Sequence, residues 1–79
     1  MIVLHKIVPG ENVYRFYCIG VQPSLLEPYG VLRIWGRIGG GQQKMYSRAG
    51  SEAEARQLAH RLLHQKLKAG YIIVYSHEA

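Results

Sequence analysis

Arg33, Trp35 and Arg37 recur at every second position of the run Val31 to Ile38, the spacing at which a β-strand turns its side chains to one face. Leu32, Ile34, Gly36 and Ile38 fall on the other face. The second set is apolar and is expected to face the core, which leaves Trp35 on the solvent side between two guanidinium groups. A π-face set between arginines suits the stacking of a base or ribose while the arginines hold phosphates. The same pattern also describes a tryptophan that merely covers the sheet, with arginine stems laid over it. Lys44 and Arg48 belong to the next strand, within cross-strand reach, and Arg15 to the preceding one. Gln42 offers an amide to a backbone or base edge, or to the glycine loop beside it. Trp35, Arg37, Arg33, Lys44, Arg48, Gln42 and Arg15 are thus the candidate nucleic-acid-binding residues.

Charge points the same way. Ten Lys and Arg against five Asp and Glu give a net charge of +5 in 79 residues. Such a balance attracts polyanions, nucleic acid first, although an acidic membrane surface or acidic protein would fit the same number.

Catalytic chemistry finds little support. Glu52 and Glu54 are explained by a helix start, and Glu11, Glu27 and Glu78 are scattered through loops and tail. No nucleophile has a base at recognisable spacing, and the length leaves little room for an enclosed active site. His60 and His64 stand four apart on a helix, but no third ligand completes a metal site, and His5 and His77 are distant in sequence. Gly39-Gly40-Gly41 lacks the Lys-Ser/Thr and the strand-to-helix context of a phosphate-binding loop. The expectation is a non-enzyme with no cofactor and no metal. The single cysteine, Cys18, excludes an internal disulfide framework and a cysteine-based zinc finger, and reads as a small buried hydrophobe. No apolar run reaches the length of a membrane span, and the start Met-Ile-Val-Leu-His lacks the layout of a signal peptide. These features imply one domain over residues 1–79, soluble and cytoplasmic, without membrane partners.

The elements that must position these side chains follow from period and punctuation. Ile2–Val8, Val13–Val21, Val31–Ile38 and Gln42–Arg48 read as strands, with Pro9-Gly10, a loop from Pro23 past Pro28 to Tyr29-Gly30, and a glycine hairpin between them. Ser51-Glu-Ala-Glu54 is a capping box, and Ala55, Leu58, Ala59, Leu62 and Leu63 form one face of a helix over 52–68. Gly70 stops it, and Tyr71–Tyr75 reads as a last strand. The order β-β-β-β-α-β predicts an α+β fold: an antiparallel sheet with one helix in the C-terminal half packed on one face. Leu32, Ile34, Phe16, Ala55, Leu58, Ala59 and Leu62 are the expected core.

The run Trp35-Gly36-Arg37-Ile38-Gly39 resembles the signature of the WGR domain. Asn12-Val-Tyr-Arg-Phe-Tyr17, Gly41-Gln42, Ser51-Glu-Ala-Glu-Ala55 and Lys66-Leu-Lys-Ala-Gly-Tyr71 resemble its other segments, so the likeness covers about residues 11 to 75. Two departures stand out: a glycine loop about one residue short, and Ala49 near the place of an aromatic before the helix cap, where Tyr46 is the substitute. The resemblance implies a module of the kind found in DNA-dependent poly(ADP-ribose) polymerases, where it binds DNA at breaks. There the tryptophan stacks on the sugar of a terminal nucleotide and the arginine connects domains and DNA, roles that would fall on Trp35 and Arg37. It also implies kinship with short bacterial proteins that are little more than this domain. The expected partner is DNA, whether single strand, nick or end. The alternative is a protein-interaction module, docking an acidic protein or a second copy.

Overall fold

The computed structural model of the chain describes residues 1–23 and 29–77. Strands β1 (Ile2–Val8), β2 (Val13–Gln22), β3 (Tyr29–Arg37) and β4 (Gln42–Ala49) precede helix α1 (Glu52–Lys68), and β5 (Ile72–Ser76) follows it. The five strands form one antiparallel sheet in the order β4-β3-β2-β1-β5. The helix bounds are those expected. β3 begins two residues earlier than the sequence reading, taking in Tyr29 and Gly30, and Tyr71 precedes β5 instead of opening it. Most of the expected Pro23–Pro28 loop, with Glu27, and the tail residue Glu78 lie outside the described residues.

The helix forms because Ser51, in extended geometry, accepts the Glu54 N–H on its Oγ at 3.2 Å. The reciprocal half of the box is shifted by one residue: the Glu54 carboxylate accepts from Gly50 N–H at 2.9 Å. At the other end Gly70 takes φ +97, a conformation that stops a helix at little cost only for glycine. Beyond it, the Tyr71 N–H bonds back to the Lys66 carbonyl at 3.0 Å. That bond returns the chain beneath the last turn of α1.

α1 packs over β2, β3 and β4. The core beneath it contains Leu4, Tyr17, Ile19, Val31, Ala55, Leu62 and Tyr71. Leu58, Ala59 and Leu63 pack against this cluster from the helix, and Ile2, Val21, Tyr29, Trp35 and Ala49 from the sheet. This overturns the expected choice of face. On β3 the odd residues Tyr29, Val31 and Trp35 meet the helix, while Leu32 and Ile34 lie on the opposite, open face. Phe16 shares that open face through its neighbours Gly36 and His5 in the ladder. The physical reason is that both faces of the central strands are apolar, so alternation defines two faces without saying which one the helix covers. Cys18, paired with Val3 and Ile34, also lies on the open face and is only half-buried.

The ends of the described chain are tied together. The Met1 ammonium donates to the His77 carbonyl at 2.9 Å and the His77 N–H to the Met1 carbonyl at 3.0 Å, extending the β1–β5 ladder. Among the described residues, no helix is long and apolar enough to cross a membrane.

Candidate nucleic-acid interface

Two adjacent cross-strand rows lie on the helix side of the sheet, near the C-terminal end of α1. The first is Leu4, Tyr17, Trp35 and Gln43, drawn from β1 to β4 in ladder order. Tyr17 is buried and supports Trp35, their ring centroids 5.9 Å apart and their planes 21° from parallel. Tyr71 meets Tyr17 edge-on at 6.3 Å. The last turn of α1 sets Lys66 above these rings, its Nζ 4.4 Å from the Tyr17 centroid and 5.4 Å from that of Tyr71. A cation so placed is held by the ring quadrupoles.

The second row is Lys6, Arg15 and Arg37, one alternation further along β1, β2 and β3. The Lys6 side chain runs past Gly70, bringing it toward the helix end as well. Arg15 and Arg37 are exposed. Aromatic and basic rows therefore lie side by side, with Lys66 over the aromatic one.

The sequence-derived candidates divide between the two faces. Trp35, Arg33, Arg37 and Arg15 belong to the helix side, and Trp35 is half-buried there instead of standing free on the opposite face. Gln42, Lys44 and Arg48 pair with Gly36, Ile34 and Gly30, which puts them on the open face. The single basic patch expected from merging Lys44 and Arg48 with Arg33 and Arg37 is thus not formed. Arg33 turns across β4: its Nη2 reaches Met45 Sδ and Ser47 Oγ, while its Nε is buried without a hydrogen-bond partner. Sequence reasoning missed Lys6, Lys66, Tyr17, Tyr71 and Gln43. Parity on β2 and β3 pairs Tyr17 with Trp35 once the register is known, but Lys66 reaches Tyr17 only through the docking angle of the helix.

A cleft of about 390 Å³ opens beside Trp35, lined also by Gly36, Arg37, Gly41, Gln42 and Gln43. The β3–β4 turn that shapes it is closed by the Gly40 N–H bonding to the Arg37 carbonyl at 2.9 Å, with Gly39 at φ +79. Elsewhere, His60 and His64 stack at 6.4 Å on the exposed helix surface, and among the described residues no three His, Cys, Asp or Glu side chains gather as a metal site. Burial pushes the Cys18 thiol pKa up.

The profile of the WGR domain matches residues 1–78. The chain belongs to the WGR domain family. It is also 38% identical over 68 residues to an uncharacterized protein, y4dW, of Sinorhizobium fredii (strain NBRC 101917 / NGR234). That match takes in 86% of this chain and 33% of the relative, so the chain spans about a third of that protein's length. No solved structure matches it.

Within the WGR motif of this chain each residue has a separate mechanical role. Trp35 rests on Tyr17 as described. A Cβ on Gly36 would overlap the Gly41 carbonyl oxygen and crowd the Gln42 backbone, so only glycine lets β4 return this close. Arg37 grips the β1–β2 connection: Nη1 donates to the Asn12 carbonyl at 3.1 Å and Nη2 to Asn12 Oδ1 at 3.0 Å. Its guanidinium also lies 5.1 Å from the Tyr14 ring centroid. Asn12 itself sits in the left-handed region at φ 54, ending the short 3-10 turn Pro9–Glu11. WGR family membership suggests a module that engages nucleic acid or protein.

Proposed function

We propose that this WGR domain binds DNA through the helix-side end of its sheet, with Trp35 as the stacking group and Arg15, Arg37, Lys6 and Lys66 as phosphate contacts. The observation that carries this reading is the pair of adjacent rows, Tyr17–Trp35 and Lys6–Arg15–Arg37, with Lys66 over the first. Tyr17 fixes the plane of the tryptophan, and the cations border it on the side where a sugar-phosphate chain would run. Gln43 and the glycine turn supply polar groups at the other margin of the cleft. Arg33, Lys44 and Arg48 contribute to the general positive field, not to this contact, while the neutral amide of Gln42 lines the cleft beside Trp35.

The chain has one tryptophan, so its fluorescence reports on this site directly. Titration of nicked duplex, blunt duplex and single-stranded oligonucleotides at two salt concentrations tests the proposal. Binding should weaken steeply with salt, and Lys66→Ala and Arg15→Ala should each reduce the slope of log K against log salt by about 0.9. Salt-independent binding, or none to any of the three, rejects it.

A second reading, a protein-interaction module, draws on a different feature. The open face carries Phe16, Leu32, Ile34 and Tyr46 with no helix over them. A partner that survives nuclease treatment and is lost on Ile34→Asp, with oligonucleotide binding absent, would favour it.

A further inference from the structure

β4 repeats the spacing of β3. Lys44, Tyr46 and Arg48 stand at alternate positions, as Arg33, Trp35 and Arg37 do, so each strand sets an aromatic ring between two cations. The register turns the two sets to opposite faces. Lys44, Tyr46 and Arg48 pair with Ile34, Leu32 and Gly30, on the face that α1 leaves open. Tyr46 has no part in the Trp35 row.

Tyr46 is held on that face in a defined pose. Its ring leans across β3 at Gly30, where a Cβ would overlap Cζ and Oη, and its hydroxyl donates to the Gln22 carbonyl on β2 at 3.4 Å. The missing side chain at Gly30 lets the ring lie down on the backbone. One π-face meets the sheet and the other turns outward, which leaves the residue half-buried. Lys44 and Arg48 are exposed on either side of it, each two residues and about 6.8 Å along the strand.

The same face offers a second ring. His5, Phe16, Gly36 and Gln42 form one cross-strand row, and Gly36 leaves the space between the Phe16 ring and the Gln42 amide without a side chain. Leu32 and Ile34 make an apolar floor between the two rings. Among the described residues, the acidic side chains are Glu11, in the turn after β1, and Glu52 and Glu54, in the first turn of α1; none stands on a strand. An acid-free sheet face with half-buried rings and a cationic border suits an occupant that is both aromatic and anionic.

We propose that the open face is a second nucleic-acid surface, separate from the Trp35 row, and that it holds one single strand along β4. A base stacks on Tyr46, Lys44 and Arg48 take the phosphates on either side, and a further base lies on Phe16 within reach of the Gln42 amide. The pose of the rings selects a single strand: a base reaches a ring lying on a sheet only after leaving its own stack. The net charge of +5 draws a polyanion to this face as it does to the other. β4 is an edge strand, so a sugar-phosphate chain can follow it without crossing another strand of the sheet.

Anisotropy titration of a labelled oligothymidylate against the full chain tests the proposal, with variants checked for folding by circular dichroism. Tyr46→Leu should weaken binding about five-fold or more, the loss of one stacked base, and leave blunt-duplex affinity unchanged. Tyr46→Phe keeps the ring and should bind as the parent does. Lys44→Gln and Arg48→Gln should each reduce the slope of log K against log salt by about 0.7. These two exposed positions carry the test if Tyr46→Leu unfolds the chain. Lys66→Ala, which alters the Trp35 row alone, should leave the Tyr46 dependence in place, so the two surfaces can fail separately. No binding of the oligothymidylate, undiminished binding and salt slope in the Tyr46→Leu, Lys44→Gln and Arg48→Gln variants, or a protein partner that requires Tyr46 where the strand does not each overturns the proposal.

Discussion

Trp35 lies nearly parallel to Tyr17, 5.9 Å away across the β2–β3 ladder, and the tyrosine beneath it is buried. The tryptophan therefore has one face in the core margin and one toward solvent. Trp35→Ala should lose about 1–3 kcal/mol of stability, less than the 3–5 typical of a fully buried ring. The same change should weaken oligonucleotide binding by about 1–3 kcal/mol per stacked group. Trp35→Phe keeps an apolar ring on Tyr17 and should recover most of the stability. Urea denaturation followed by circular dichroism measures the first effect, and oligonucleotide titration the second. A Trp35→Ala protein as stable as the parent would contradict the packing described.

Arg37→Lys should behave like Arg37→Ala in one respect. Lysine has no planar fork, so neither variant reproduces the paired bonds to Asn12. Each should cost about 1 kcal/mol and speed amide exchange at Asn12 and Ile38. Only the alanine variant should flatten the salt dependence of DNA binding. Exchange measured by NMR separates the anchoring role from the phosphate role.

Gly36→Ala tests the close return of β4. The new methyl has backbone, not a movable side chain, in its way at Gly41. A loss of roughly 1–3 kcal/mol or more is expected, with chemical-shift changes centred on Gly41 and Gln42. An unchanged melting temperature would show that the turn relaxes freely.

Leu62 and Leu58 share the helix face but not its depth. Leu62 is 7% exposed, whereas Leu58 is half-buried. Leu62→Ala should cost about 2–5 kcal/mol, and Leu58→Ala clearly less. The comparison is read from chemical denaturation of both variants, and equal losses would misplace the helix axis.

Cys18 gives a dependence on pH. Burial disfavours its thiolate, so the folded thiol ionises at higher pH than the unfolded one. At neutral pH it is protonated in both states and contributes nothing. As pH rises through the unfolded value the unfolded chain ionises first, and stability falls. Below that range, a disulfide reagent should react more slowly with the folded protein than with the urea-unfolded one. Equal rates would place Cys18 in open solvent.

The strands, the helix and its cap were legible because each rests on local pattern: β-branched runs, a 3.6-residue period, Ser51 and Gly70. The side of the sheet that carries the helix was not. Val31 and Leu32, or Tyr17 and Phe16, are equally apolar neighbours, and only the helix decides between them. It lies over Val31 and Tyr17 and leaves Leu32 and Phe16 uncovered. The Trp35–Arg37 half of the site was visible in the motif, and Arg15 followed from its neighbouring strand. Lys66 was visible only as a residue of the helix's last turn, since its place over Tyr17 depends on Tyr71 returning beneath it. Lys44 and Arg48 were misplaced for a different reason: the β3–β4 register, which no local pattern shows, pairs them with Ile34 and Gly30, so they share a face with Leu32 and not with Arg33 and Arg37.

The bonds between Met1 and His77 determine how the fold responds to tension. The first and last strands run antiparallel as neighbours, and the described ends meet at the same end of that pair. A force pulling the two ends apart acts across the ladder and loads its hydrogen bonds one at a time, beginning with the Met1–His77 pair. Strands sheared along their length would instead bear the load together. The domain should therefore open by peeling at low force, β5 leaving first, while the Tyr17–Trp35 contact between β2 and β3 stays closed until β1 has gone.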